Sequence, residues 1–227
     1  MTGLVWRSLR YFWRSHLGVL LGAACATAVL VGALAVGDSV RLSLRAQAQN
    51  RIGYVAGALV VRDRYFPADL ADRLQQGLGG IAPFAPLLQL QGIAKNQDIQ
   101  ARNARAGIVD VFGIDERFFE LSPGGERRAA PAAGQAFVNE RLAAQLQVGP
   151  GDSILLRVEK PSLMPRDMVM ATIDDISFAL RLEVAGVLSE RDFGRFGLRA
   201  SQVPPFNVFV ALPWLQEQLD LSGRANA

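Results

Sequence analysis

Leu17 to Gly37 reads LGVLLGAACATAVLVGALAVG, 21 residues without a charge, and that run decides how the rest of the chain must be organised. At 1.5 Å per residue, a helix of about 20 residues crosses the roughly 30 Å hydrocarbon core of a bilayer. The segment reads as a membrane anchor. Arg7, Arg10 and Arg14 precede it, and no acidic residue occurs before Asp38. By the positive-inside rule this bias puts residues 1–16 in the cytoplasm and residues 38–227 beyond the inner membrane, in the periplasm or outside the cell.

A cleaved signal peptide is the competing reading, since Ala33-Leu34-Ala35 is a small-x-small site. The apolar run is longer than a signal core, and Trp6, Tyr11 and Trp13 supply the interfacial aromatics of a retained anchor. A lipoprotein signal through Cys25 fails at Gly22, where a large aliphatic residue is required.

The three arginines recur at i, i+3 and i+7, with Leu4, Val5, Leu9, Phe12 and Trp13 on much of the remaining surface. Residues 3–15 therefore read as an amphipathic helix lying in the interface, with Trp6, Arg7, Arg10, Trp13 and Arg14 as candidate membrane-interface residues. Beyond Gly37 the sequence SVRLSLRAQAQNRIG has no proline and is rich in helix formers until Gly53. The membrane helix (17–37) is expected to continue as an extracytoplasmic stalk over residues 38–55, protruding about 24 Å beyond the hydrocarbon. Val36, Val40 and Leu44 recur every four residues and form a stripe that wants a partner helix; they are the candidate coupling residues. A break at Gly37, with Asp38 or Ser39 capping a separate helix, is the alternative.

Charge is unevenly placed. Residues 1–55 carry six arginines against one acid, leaving 18 basic and 20 acidic residues for 56–227. Such a balance favours contact of the N-terminal part with anionic lipid and excludes a nucleic-acid module, which needs a basic stripe on the folded domain. The one cysteine, Cys25, lies in the apolar run and the one histidine, His16, at its mouth. The exported domain must therefore fold without a disulfide, and no zinc-ligand cluster remains.

Residues 56–227 read as an α+β domain. Strands are expected at Ala58–Arg62, Leu87–Ala94, Gly107–Phe112, Ser153–Glu159, Leu180–Leu188 and Phe206–Leu212. Helices are expected over Pro67–Gly77, in DERFFEL from Asp115, over Asn139–Leu146 and from Pro213. No βαβ run is long enough to demand a doubly wound parallel sheet.

Catalytic chemistry is not legible in the domain. There is no G-x-S-x-G elbow, no second histidine to act as a base and no Walker A lysine after Gly77-Leu78-Gly79-Gly80. Asp115-Glu116 and Asp174-Asp175 are adjacent carboxylates of the kind that cap turns. Two long loops offer apolar side chains to a substrate or partner, with Met164, Met168 and Met170 in one and Phe193 and Phe196 in the other.

Five stretches in order, VGDSVRLSLRAQAQNRIG (36–53), VDVFGIDERFFEL (109–121), AFVNERLAAQLQVGPGDSILLRVE (136–159), LRLEVAGVLSE (180–190) and PPFNVFVALPWLQEQL (204–219), resemble the N-terminal half of an FtsX-like ABC transporter permease with a MacB-type periplasmic core domain. The resemblance implies a non-catalytic subunit that binds no cofactor itself. ATP would be hydrolysed on a cytoplasmic ABC ATPase, separate or fused. It implies as partners the lipid bilayer, a second permease copy or homologue, and a periplasmic adaptor or lipoprotein. Family members place three more membrane helices after the domain, so the chain, with its domain at 56–227, reads as a portion of such a protein. A single-span sensor or adaptor, and a secreted binding protein released after Ala35, are the competing classes.

Overall fold

The computed structural model describes residues 2–61, 64–80, 82–97, 104–159, 177–199, 201 and 203–227. The chain divides into two compact units, Met1–Ala48 and Gln49–Ala227.

In the first unit, α1 (Thr2–Tyr11) ends at a bend on Phe12, and α2 (Trp13–Ile52) follows for 40 residues. Hydrogen bonds Phe12 N→Ser8 O and His16 N→Phe12 O, both 3.0 Å, continue the i to i−4 ladder across the bend. The segment expected as an amphipathic helix over residues 3–15 is shared between α1 and the first turn of α2, with the bend at Phe12 between them. Helix α2 passes through Gly37 without a break, because neither proline nor a competing cap interrupts the helix formers on either side. Its apolar part is long enough to cross a membrane, and none of it is buried. Thr27, inside the apolar run, returns its hydroxyl to the carbonyls of Ala23 and Ala24 at 2.9 and 3.0 Å, which spares the bilayer an unpaired polar group.

The second unit is built on a closed six-stranded barrel. In chain order its elements are β1 (Phe66–Pro67), α3 (Leu70–Gly77), β2 (Leu88–Asn96), β3 (Arg105–Ile114), β4 (Gln135–Asn139), α4 (Glu140–Leu146), β5 (Ser153–Glu159), β6 (Ser177–Leu188), β7 (Asn207–Ala211), α5 (Leu212–Gln218) and β8 (Arg224–Ala225). The barrel closes in the order β2-β3-β7-β4-β6-β5, and β1 pairs with β8. Most pairs are antiparallel, but β3 with β7 and β4 with β6 are parallel. Closure removes the exposed edges that an open sheet of short strands would leave.

Period-two patterning explains which face turns inward. Ile154, Leu156 and Val158 of β5 and Leu180, Leu182 and Val184 of β6 are buried, while the residues between them are exposed or half-buried. They join Leu88, Leu90, Val109 and Val111 in a core also covered by Leu142 and Leu146 of α4 and Leu212 and Leu215 of α5.

Several elements differ from the sequence expectation. Residues 58–61 form no strand; Leu59 and Val60 are exposed, and the segment meets its neighbour through Val61 N→Asn226 O at 2.9 Å. Pro67 lies in β1 opposite Arg224, and the helix starts later, at Leu70; a residue without an N–H suits a two-residue ribbon as well as a first helical turn. DERFFEL contributes a 3-10 turn, Phe118–Leu121, which buries Phe118 and Phe119. Strand β4 goes unread in the sequence, because in QAFVN only Ala136, Val138 and the capping Asn139 turn inward.

Candidate functional site: the junction of helix and barrel

Helix α2 delivers its last turn into the second unit. The boundary between units lies after Ala48 and not after Val55, because Arg51, Gly53, Tyr54 and Val55 make their contacts with the barrel domain. Arg51 donates from its guanidinium to the carbonyl of Ser201 at 3.0 Å and to that of Arg199. A cation in the last turn also complements the carbonyl end of the helix. Gly197 makes room for it, since a Cβ there would stand 2.9 Å from Arg51 Nη2.

Gly53 closes the helix with φ +56°, and its N–H reaches Gln49 O at 2.7 Å. A Cβ at this position would overlap the carbonyl oxygen of Leu121 and come within 2.9 Å of Phe193 Cε1, so both conformation and space select glycine. The next residue, Tyr54, donates its N–H to that same Leu121 carbonyl at 2.9 Å.

Below the junction lies a second core, rich in phenylalanine. Phe118 touches Phe193, Phe196 and Phe209 with ring centroids 4.8, 5.0 and 5.7 Å apart, and Phe112 stacks on Phe209 at 5.4 Å. Val55 packs against this cluster. Aromatic pairs at these separations gain edge and offset contacts beyond the area they bury. Phe193 and Phe196 are 0% and 2% exposed, which corrects their assignment to a substrate or partner loop. Phe193 sits at φ +63° after a 3-10 turn, and that conformation tucks its ring inward, where sequence spacing alone suggested an open loop. Met164, Met168 and Met170 lie outside the described residues.

Two buried asparagines hold the Phe193–Phe196 turn. Asn207 donates to the carbonyl of Phe196 at 2.8 Å and Asn139 to that of Gly194 at 2.8 Å. Sequence reading placed Asn139 at the start of a helix, where it is the cap of α4, but missed this second duty, which needs a residue 55 positions away. Beside the turn is a cleft of about 290 Å³ lined by Asn139, Arg141, Glu190, Arg195 and Pro204 among others. Two of its cations are engaged: Arg195 pairs with Glu190 at 2.6 Å, and the Arg141 guanidinium lies 4.5 Å from the centre of the Phe206 ring.

Electrostatically the junction is a place of partly buried charge. Burial raises the pKa of Asp110 above its ordinary 3.8, with Gln91, Arg199, Arg51 and Gln89 acting in the opposite direction. Asp115 is likewise raised by burial, although Arg117 bonds it at 2.6 Å. The same guanidinium reaches Asp72 at 2.6 Å and so ties α3 to the turn that carries Phe118. Among the described residues no group of three His, Cys, Asp or Glu stands together as a metal site.

The C-terminal segment returns beside the incoming one. Leu87 and Ala227 exchange backbone bonds at 2.8 and 3.0 Å. Asn226 does the same through its side chain with Gln89, at 2.7 and 2.8 Å. Residues 224–227 thus lie against Val61, Phe66, Pro67, Leu87 and Gln89.

The proposed interface residues Trp6, Arg7, Arg10, Trp13 and Arg14 and the stripe Val36, Val40 and Leu44 are all exposed along the two helices. Arg14 lies over the Trp13 ring at 5.9 Å.

A long apolar helix leads into a mixed α/β barrel domain. The chain belongs to the MacB-like periplasmic core domain family, which matches residues 17–226. It is similar to the solved periplasmic region of MacB from Actinobacillus actinomycetemcomitans, with 13% identity and a TM-score of 0.42. That match covers 76% of this chain and 64% of the other. No curated protein matches the sequence.

Proposed function

We propose that the chain is the N-terminal, membrane-anchored part of a permease subunit that carries motion from a cytoplasmic ATPase to an extracytoplasmic barrel domain. The observation that carries this reading is the continuity of α2 from Trp13 to Ile52, with its last turn bound to the barrel domain through Arg51 and the chain just beyond it through Tyr54. A displacement along or about such a helix reaches the domain without a flexible linker to absorb it.

In this reading residues 1–16 lie at the cytoplasmic interface, residues 17–37 span the inner membrane and residues 38–55 form the stalk, with Trp6, Arg7, Arg10, Trp13 and Arg14 at the head groups. Val36, Val40 and Leu44 pack on a neighbouring helix of the permease. ATP binds to the partner ATPase, the functional unit contains a second permease copy or homologue, and a periplasmic adaptor or lipoprotein is the external partner.

Three glycines inserted after Leu44 of the transporter in its membrane test the coupling, because they break the helix while leaving the barrel domain intact. Transport should fall while ATP is still hydrolysed. Unchanged transport per ATP would rule out α2 as the transmitting element. Alkaline phosphatase fused after Ala227 should be active, and its inactivity there would reverse the proposed orientation.

A further inference from the structure

The outer wall of the barrel carries cations that no described carboxylate pairs. Along the neighbouring strands β3, β2, β5 and β6, Arg105 stands opposite Lys95, Lys95 opposite Leu155, and Leu155 opposite Arg181. In the adjoining row Ile93 faces Arg157, and Arg157 faces Ala179. All four cations are exposed, and none forms an ion pair with a described carboxylate.

Like charges placed directly opposite across two strands destabilise a sheet, so the Lys95–Arg105 pair gives the barrel nothing in return for its repulsion. Apolar residues stand among these cations. The β2–β3 register shifts between Gly92 and Ala94, which leaves Gly107 and Ile108 both turned outward beside Ile93; Ile108 is 72% exposed and Ile93 40%. Glu159 and Glu183, two residues beyond Arg157 and Arg181 on the same strands, bound the band at its ends.

We propose that this wall docks an acidic, amphipathic helical segment of a partner protein. Strands about 4.8 Å apart place Lys95 next to Arg105 and about 10 Å from Arg181. A helix offers carboxylates at matching intervals, about 5–6 Å for i and i+4 and about 10 Å for i and i+7, with apolar side chains between them. The isoleucines lie within the pleat and not on a projecting loop, so they give contact area to side chains but no wedge for acyl chains. The surface is separate from the coupling reading, and its test needs no ATPase.

The test uses the full chain in phosphatidylcholine nanodiscs and a fluorescent Glu/Leu amphipathic peptide of about 18 residues, long enough to hold a helix once bound. Fluorescence anisotropy should show binding that weakens as salt rises from about 0.05 to about 0.5 M, since exposed charges are screened over a few ångströms at the higher value. The variant K95S/R105S/R157S/R181S should bind at least about tenfold more weakly. I93S/I108S should lose affinity several-fold with the salt dependence retained. These exposed positions can be changed with little effect on folding, and a thermal melt of each variant checks that. No peptide binding, equal binding of the Glu-to-Gln peptide, or full affinity in the quadruple variant would overturn the proposal. So would capture by phosphatidylglycerol vesicles that the quadruple variant abolishes and the peptide fails to displace, which would assign the wall to lipid.

Discussion

Asn139 and Asn207 are joined through the side chain of the first and the backbone of the second: Asn207 N donates to Asn139 Oδ1 at 3.2 Å, and the same oxygen takes Leu142 N at 3.0 Å. Asn139 Nδ2 donates to the carbonyls of Gly194 and Pro205 at 2.8 and 2.9 Å. One buried amide thus caps α4, anchors β7 and holds the turn that carries Phe193.

Asn139→Ala removes the cap and orphans buried groups at once. It should cost at least about 3 kcal/mol, from about 1 for the cap and 1–3 for each of the Pro205 carbonyl and the Asn207 N–H left without this partner. Asn139→Asp keeps the cap but turns two donors into an acceptor facing carbonyls, so it too should destabilise. Denaturant unfolding of the full chain in detergent measures both, and a loss below about 1 kcal/mol for the alanine variant would contradict the network.

Gly53→Ala should lower the melting temperature of the barrel domain, because φ +56° strains an L-residue and the added carbon meets Leu121 and Phe193. Gly57→Ala is the control: nothing lies within 4 Å of its Cβ, so its effect should be near zero. Equal melting of the two variants would show that the helix end is free to move away from the barrel domain.

Phe193→Ala and Phe196→Ala should each cost about 3–5 kcal/mol, as expected for a fully buried aromatic. Ile108→Ser on the barrel wall should stay within about 0.5 kcal/mol. If the two phenylalanines instead reported on ligand binding with unchanged stability, their place in the core would be wrong.

Asp110→Asn should raise the melting temperature at neutral pH. With the folded pKa above 3.8, the folded state binds more protons than the unfolded one between that value and its own pKa, so stability falls as pH rises through the window. Above it the full cost of the buried carboxylate is present, and the amide removes that cost. The advantage of the variant should shrink to nothing as pH falls to about 4. Melting curves from pH 4 to 8 decide it, and an advantage that grows at low pH would reverse the assignment.

What the sequence determined by itself is whatever depends on short-range periodicity and composition. The uncharged run from Leu17, the helix formers up to Ile52, the stop at Gly53, the strands β5 and β6 and the helix that begins at Asn139 are local, and each was legible because its physical cause lies within a few residues. Tertiary structure decided everything that requires distant residues to meet. Closure of the barrel joins β3 to β7 across nearly a hundred residues, and no local pattern encodes a partner at that range. Burial of Phe193 and Phe196 follows from a left-handed turn held by asparagines on other elements, so a stretch that reads as an open loop becomes core. The cationic wall is likewise absent from any one stretch, since Lys95, Arg105, Arg157 and Arg181 become neighbours only when four strands fix their register.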